Sequence, residues 1–322
     1  MAPGMRTFMA LVCAGALAAG VAACAPPADS TTRSGDISIP GTGIFPESIT
    51  ASRHGTLYIG SMGRGEVYRV PPGRSQAEPF IAQGAGGITN VLGVFADDAA
   101  GTLWACSTTV SNGPPGGKTG ASALHAFNLA SGAPLSSYPL AEGGFCNDAA
   151  VAANGDLFVT DSNGMQVLRL GKGATALEPW SPAGALGPAG GVLDGVALVD
   201  GRVIVGVLLT GKLFAIEVRA DGSAGAVTEL QLTAPLTQPD GMRAWKDGLL
   251  VADGGGRIQR VVIEGAHATV TTIKDGLDGV VSVAASGGTG YALEGQLNVM
   301  MARPGTTPPA EKPFRAVAFA LP

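Results

Sequence analysis

Glu47 in FPESIT, Asn147 in CNDAAV, Asp194 in LDGVAL and Asp240 in PDGMRA each open a short apolar run that ends in a turn. Gly93 in VLGVF and Asp278 in LDGVVS fall at what counting marks as the matching places. Carboxylates that meet at one point repel unless they take up protons or share a cation. Oxygen donors of this kind suit a hard divalent cation, Ca²⁺ above all, with Mn²⁺ and Mg²⁺ also within range. His54, His125 and His267 lie far apart in the chain, and no His/Cys cluster speaks for zinc. Taken singly, each Asp-Gly is also an ordinary turn, in which the acid caps local backbone and the glycine supplies permissive dihedrals. Turn chemistry does not explain Glu47.

An internal repeat supplies the elements that must position these residues. Six short strands follow a Gly or Asp turn: GTLYIGS at Gly55, GTLWACS at Gly101, GDLFVTD at Gly155, GRVIVGV at Gly201, DGLLVAD at Asp247 and GTGYALE at Gly288. A third segment follows each one: GEVYRV, ALHAFNL, MQVLRL, KLFAIEV, GRIQRVVI and QLNVMMAR. A fourth then closes the unit: EPFIAQG, PLSSYPL, ALEPWSP, VTELQLT, ATVTTIK and FRAVAFAL. Four strands per unit, six units and a period in the forties predict an all-β fold, a six-bladed β-propeller with four-stranded blades. A β-sandwich is the alternative, and it leaves six similar units unexplained. The innermost strand of each blade lines a central channel, so residues at its start ring one mouth. Ring closure is open at this level, with DISIP at residues 36–40 a candidate extra strand.

With that geometry, PESIT at Glu47, ND at Asn147, DG at Asp194 and PDGM at Asp240 resemble, in order and spacing, the SMP-30/gluconolactonase/LRE-like (regucalcin-like) family. The similarity covers residues 45–321, and its motifs are individually short. It implies a six-bladed propeller with a divalent metal in the channel and hydrolysis of a sugar-type or other small lactone. It further implies that Glu47, Asn147, Asp194 and Asp240 ligate the metal and that Asp240 is the catalytic base or orients the attacking water. Asp194 departs from the family's usual Asn, and Glu47-Ser48-Ile49 from its EGP. The alternative is a non-catalytic propeller that binds a ligand or protein partner, since GGGRIQRV at residues 254–261 resembles the NHL repeat. A strictosidine-synthase-like propeller shares the fold but has no visible catalytic match.

The amino terminus is read as separate from this domain. Arg6, the apolar run from Phe8 to Ala23 and then VAAC at residues 21–24 predict a signal peptide of lipoprotein type over residues 1–23. Cys24 would be lipidated, residues 24–35 would form a flexible Pro/Ser/Thr-rich tether, and residues 36–322 the propeller. Ordinary signal cleavage is the alternative. Either route exports the protein, and lipidation makes it a periplasmic or cell-envelope lipoprotein attached to the membrane through its lipid. Export lets Cys106 and Cys146 pair as a disulfide or remain thiols. The net charge of −5, with no basic run, argues against nucleic acid and leaves a small molecule as the expected partner. Oligomeric state has no signature here.

Other motifs fail on their chemistry. SNGPPGGKTG places Asn112 where a phosphate loop needs glycine, so it reads as an exposed insertion beside the channel mouth. No serine sits in G-x-S-x-G, which argues against a serine hydrolase. The three histidines read as structural, and Trp104, Trp180 and Trp245 as packing residues.

Overall fold

Apolar runs of five to seven residues, bounded by glycine turns, become strands buried on both faces when sheets stack side by side. Leu57–Ser61, Leu157–Asp161 and Gly248–Asp253 are buried along their whole length. The outer strand Pro134–Pro139 is mostly exposed. In the computed structural model these strands form six antiparallel sheets, the blades of a β-propeller. The structure describes residues 1, 35–110, 119–302, 307 and 310–322. Nearly all of the segment expected to be a signal peptide and tether, with Cys24, and the body of the Asn112 insertion lie outside the described residues.

The inner strands are Pro46–Ala51, Val91–Asp97, Cys146–Val151, Leu193–Val199, Pro239–Trp245 and Val280–Ser286, for blades one to six. Blade five carries a fifth strand, Gln231–Leu232, which runs parallel to His267–Lys274.

Blade six corrects two expected strands. QLNVMMAR is not a third strand: Leu297–Met300 is a single helical turn. FRAVAFAL moves inward to become the third strand, Phe314–Ala320. The fourth strand comes from the other end of the domain, where Ile37–Ile39 pairs with it through Ile37–Ala316 and Ile39–Phe314. An amino-terminal strand therefore closes the ring, with Ile37 and Phe314 buried in a core shared by blades six and one.

Polar side chains at the ends of the second strands pin the loops that lead into the inner strands. Asp161 accepts from the Phe145 N–H at 2.9 Å, and Asp253 accepts from the Thr237 and Gln238 N–H groups at 2.9 and 3.1 Å. Ser107 and Glu294 do the same for Thr89 and Asp278. These three acids and Ser107 have structural roles, and they fix where the inner strands of blades two, three, five and six start.

Candidate metal centre

All six inner strands shift register against their neighbour at the second residue. Such a β-bulge sets two residues against one and re-aims a side chain. The first bulge residues are Glu47, Leu92, Asn147, Asp194, Asp240 and Val281, and the first five line one cavity of about 90 Å³. Counting in the sequence therefore fails in two blades. Gly93 is the second bulge residue, because one more residue lies between the bulge and Gly101 than in blades one and three, and Leu92 holds the matching position. Asp278 precedes the strand by two residues; its side chain is largely exposed and paired with Lys312.

The second bulge residues explain the glycine of Asp-Gly. Gly195 and Gly241 lie within strands and not at positive φ. A Cβ at Gly195 would stand 2.5 Å from the Asp240 carbonyl oxygen, and one at Gly241 would stand 2.6 Å from Ser282 Oγ. A Cβ at Gly93 would meet the Asn147 carbonyl at 2.4 Å. Glycine is there because the next blade leaves no room. In the other three blades a side-chain oxygen bridges the gap: Ser48 accepts from the Val94 N–H at 3.1 Å, Asp148 from Val196 at 3.4 Å, and Ser282 from Ile49 at 3.3 Å.

Glu47, Asp194 and Asp240 each bring an oxygen within 4.8 Å of the others. Glu47, Asn147 and Asp194 are buried and Asp240 is partly so. Asn147 Nδ2 donates to Ser162 Oγ at 3.0 Å and to Asp194 Oδ2 at 3.1 Å, while the Ser162 hydroxyl donates to the Leu193 carbonyl. With both amide hydrogens engaged, Asn147 keeps Oδ1 as its free acceptor.

Burial is the main cause that pushes all three carboxyls up. Asp194 rises to about 7, with Asp148 adding to burial. Asp240 stands well above the usual range because burial is joined by Asp194 and Glu47. Glu47 is likewise raised by burial, then by Asp194 and Asp148, and Arg243 opposes the rise. Asp194 Oδ1 is buried and accepts no donor. Its approach to Asp240 is favourable only with a proton or a cation between them. Three carboxylates, one oriented amide oxygen and an orphaned buried carboxylate oxygen fit a hard cation.

Below this ring, Arg243 of blade five crosses the channel. It donates to Asp148 Oδ2 at 2.7 Å, Ser48 Oγ at 3.0 Å and the Val94 carbonyl at 3.0 Å, reaching blades three, one and two. Asp148, Ser162 and Arg243 escaped the sequence reading. The polarity of Asp148 and Arg243 inside apolar strands was a signal, but the partners they share sit in other blades, while Ser162 follows its strand as an ordinary turn residue.

The sulfurs of Cys106 and Cys146 are 2.01 Å apart, a disulfide that ties blade two to blade three beside Asn147. His125 is buried against the Gly86 carbonyl, and Trp180 Nε1 donates to the Gly222 carbonyl across to blade four. Trp245 is flanked by Lys246 and Arg260.

No protein-family model matches the chain, and no curated protein sequence matches it. Solved structures do. A gluconolactonase from Xanthomonas campestris aligns at 16% identity over 78% of this chain and 83% of its own, with a TM-score of 0.56. A luciferin-regenerating enzyme aligns at 14% over 88% and 91%, TM-score 0.59. The PQQ-bound aldose sugar dehydrogenase from Streptomyces coelicolor aligns at 15% over 88% and 96%, TM-score 0.61. At these identities the likeness establishes the propeller fold.

Proposed function

We propose that the protein is an exported, metal-dependent hydrolase that opens a small lactone at the channel mouth. The observation that carries this reading is the convergence of Glu47, Asp194 and Asp240 around a buried, donorless Asp194 oxygen. Glu47, Asn147, Asp194 and Asp240 would hold the cation, Ca²⁺ first among the candidates. When bound, the cation supplies charge stabilisation for an oxyanion at the substrate carbonyl. Asp240 is the most exposed of the set, so it faces substrate and takes the proton of the attacking water at its carboxylate. The Gly241 N–H, 2.9 Å from Asp240 Oδ1, fixes that carboxylate in place. The Ser162–Asn147 contact keeps the amide oxygen available. A gluconolactonase on the same fold supports the choice of reaction class.

The test is calorimetric titration of Ca²⁺ into metal-stripped protein, followed by a lactone screen. One tight site lost in Glu47→Gln supports the centre, and Asp240→Asn should abolish turnover more completely than it abolishes Ca²⁺ binding. Binding without turnover of any lactone would favour the non-catalytic, ligand-binding propeller. Lipidation at Cys24 belongs to the same proposal. It is tested by metabolic labelling with a fatty acid, which Cys24→Ser should eliminate.

A further inference from the structure

The walls around the carboxylates are apolar. Met62, Leu92, Val192, Leu208, Leu297 and Met301 line the cavity above Glu47, Asp194 and Asp240. They come from blades one, two, four and six, and Leu297 and Met301 belong to the helical turn, with its C-terminal cap, that replaced an expected strand. Leu92 holds in blade two the bulge position that carries Glu, Asn or Asp in four other blades. Val192 sits at φ 60°, a region hostile to a β-branched side chain, where glycine would be free of strain. An isopropyl group is held in the wall in spite of its backbone, and observed strain of this kind clusters at functional positions.

The Ser162 hydroxyl and the Asn163 amide nitrogen are already engaged within the protein. Ser162 donates to the Leu193 carbonyl and accepts from Asn147, and Asn163 Nδ2 donates to the Gly143 carbonyl at 3.0 Å. Among the described residues no Arg, Lys or His lines the cavity. A polyhydroxylated ring would set the hydroxyls that point away from the carboxylates and Asn147 Oδ1 against apolar side chains, which is costly, and an anionic substituent would meet carboxylates with no cationic side chain to offset them.

We infer that the substrate class of this site is a lactone or cyclic ester with an uncharged aliphatic substituent, and not a sugar lactone. The inference rests on the hydrolase reading. Each substituent methylene buried against this wall contributes about fourfold in specificity.

The experiment compares kcat/KM of the purified, Ca²⁺-loaded protein for γ-butyrolactone, γ-octalactone and D-glucono-1,5-lactone. γ-Octalactone should exceed each of the others at least tenfold. Leu208→Asn and, independently, Met301→Asn should shrink the preference over γ-butyrolactone while leaving Ca²⁺ affinity within threefold. D-Glucono-1,5-lactone opened as fast as γ-octalactone, or faster, would overturn the inference and leave the hydrolase reading standing. If no lactone is opened, the hydrolase reading falls, and binding of two uncleavable ketones decides the inference. 2-Butylcyclopentanone bound at least tenfold more tightly than cyclopentanone, with the margin lost in Leu208→Asn, upholds the apolar site, and equal binding overturns it.

Discussion

Arg243 Nη1 lies 2.7 Å from Asp148 Oδ2, both side chains are almost wholly buried, and the pair joins blade five to blade three across the channel. Breaking a buried pair from one side leaves the other charge stranded. Asp148 Oδ1 and Arg243 Nε already lack partners, so no nearby group stands ready to compensate. Arg243→Met should cost about 3–5 kcal/mol in denaturant unfolding. The double variant with Asp148→Leu should recover part of that loss. A single-variant cost below about 1 kcal/mol would mean that water reaches the pair.

The Gly195 and Gly241 contacts make a second prediction. A methyl group at either site has backbone or Ser282 in its way, so Gly195→Ala and Gly241→Ala must push neighbouring inner strands apart. Overpacking of this kind costs about 1–3 kcal/mol. Because the obstructing atom at Gly195 is the carbonyl of Asp240, the same variant should weaken Ca²⁺ binding. Gly143→Ala, with nothing near its Cβ but a positive φ of 81°, serves as a control with a backbone penalty and no effect on Ca²⁺. Calorimetry beside thermal unfolding separates the two effects.

The Cys106–Cys146 bond closes a segment of 40 residues. In the chain-entropy view such a link stabilises the fold by about 4 kcal/mol. Alkylation before reduction should leave the peptides containing Cys106 and Cys146 unlabelled by mass spectrometry. The Cys106→Ala/Cys146→Ala double variant should unfold at correspondingly lower denaturant. Labelling of both cysteines in the unreduced protein would remove the bond from the account.

Much of the propeller was legible because buried second strands are continuous apolar runs behind glycine turns, a local signal. Ring closure was not, since Ile37–Ile39 acquires its role from Phe314–Ala320 at the opposite end of the domain. QLNVMMAR misled because four or five apolar residues fit a strand or a helical turn equally well. Glu47, Asn147, Asp194 and Asp240 stood out as polar residues opening apolar strands. Asp278 stood out for the same reason and is elsewhere, because Asp-Gly in blade six marks a loop while in blades four and five it marks a bulge. Asp148 and Arg243 could not be paired from spacing, since 95 residues and a whole blade separate them and only the closed ring turns both inner strands towards one channel.

The position of Asp194 gives the metal-free protein a pH dependence whose sign follows from linkage. Its folded value of about 7 lies above the ordinary 3.8, and burial is the chief cause. The fold therefore has its full contribution from this group below about pH 4, and loses it progressively as pH rises through 7. Metal-free protein should melt at a lower temperature at pH 8 than at pH 5.5 on this account. Ca²⁺ offsets the charge, so its stabilising shift in Tm should be large at pH 8 and small at pH 5.5, where protons compete for the same oxygens. Asp194→Asn removes the buried charge while retaining an oxygen. It should reduce the pH dependence of the metal-free protein without abolishing it, since burial still raises Glu47 and Asp240, raise its stability at pH 8 by roughly 2–4 kcal/mol, and weaken Ca²⁺ binding. Differential scanning calorimetry of both proteins, with and without Ca²⁺ at the two pH values, checks all three outcomes. A wild-type Tm that is independent of pH in the absence of metal would mean that Asp194 is solvated at the channel mouth, and the donorless oxygen would lose its significance.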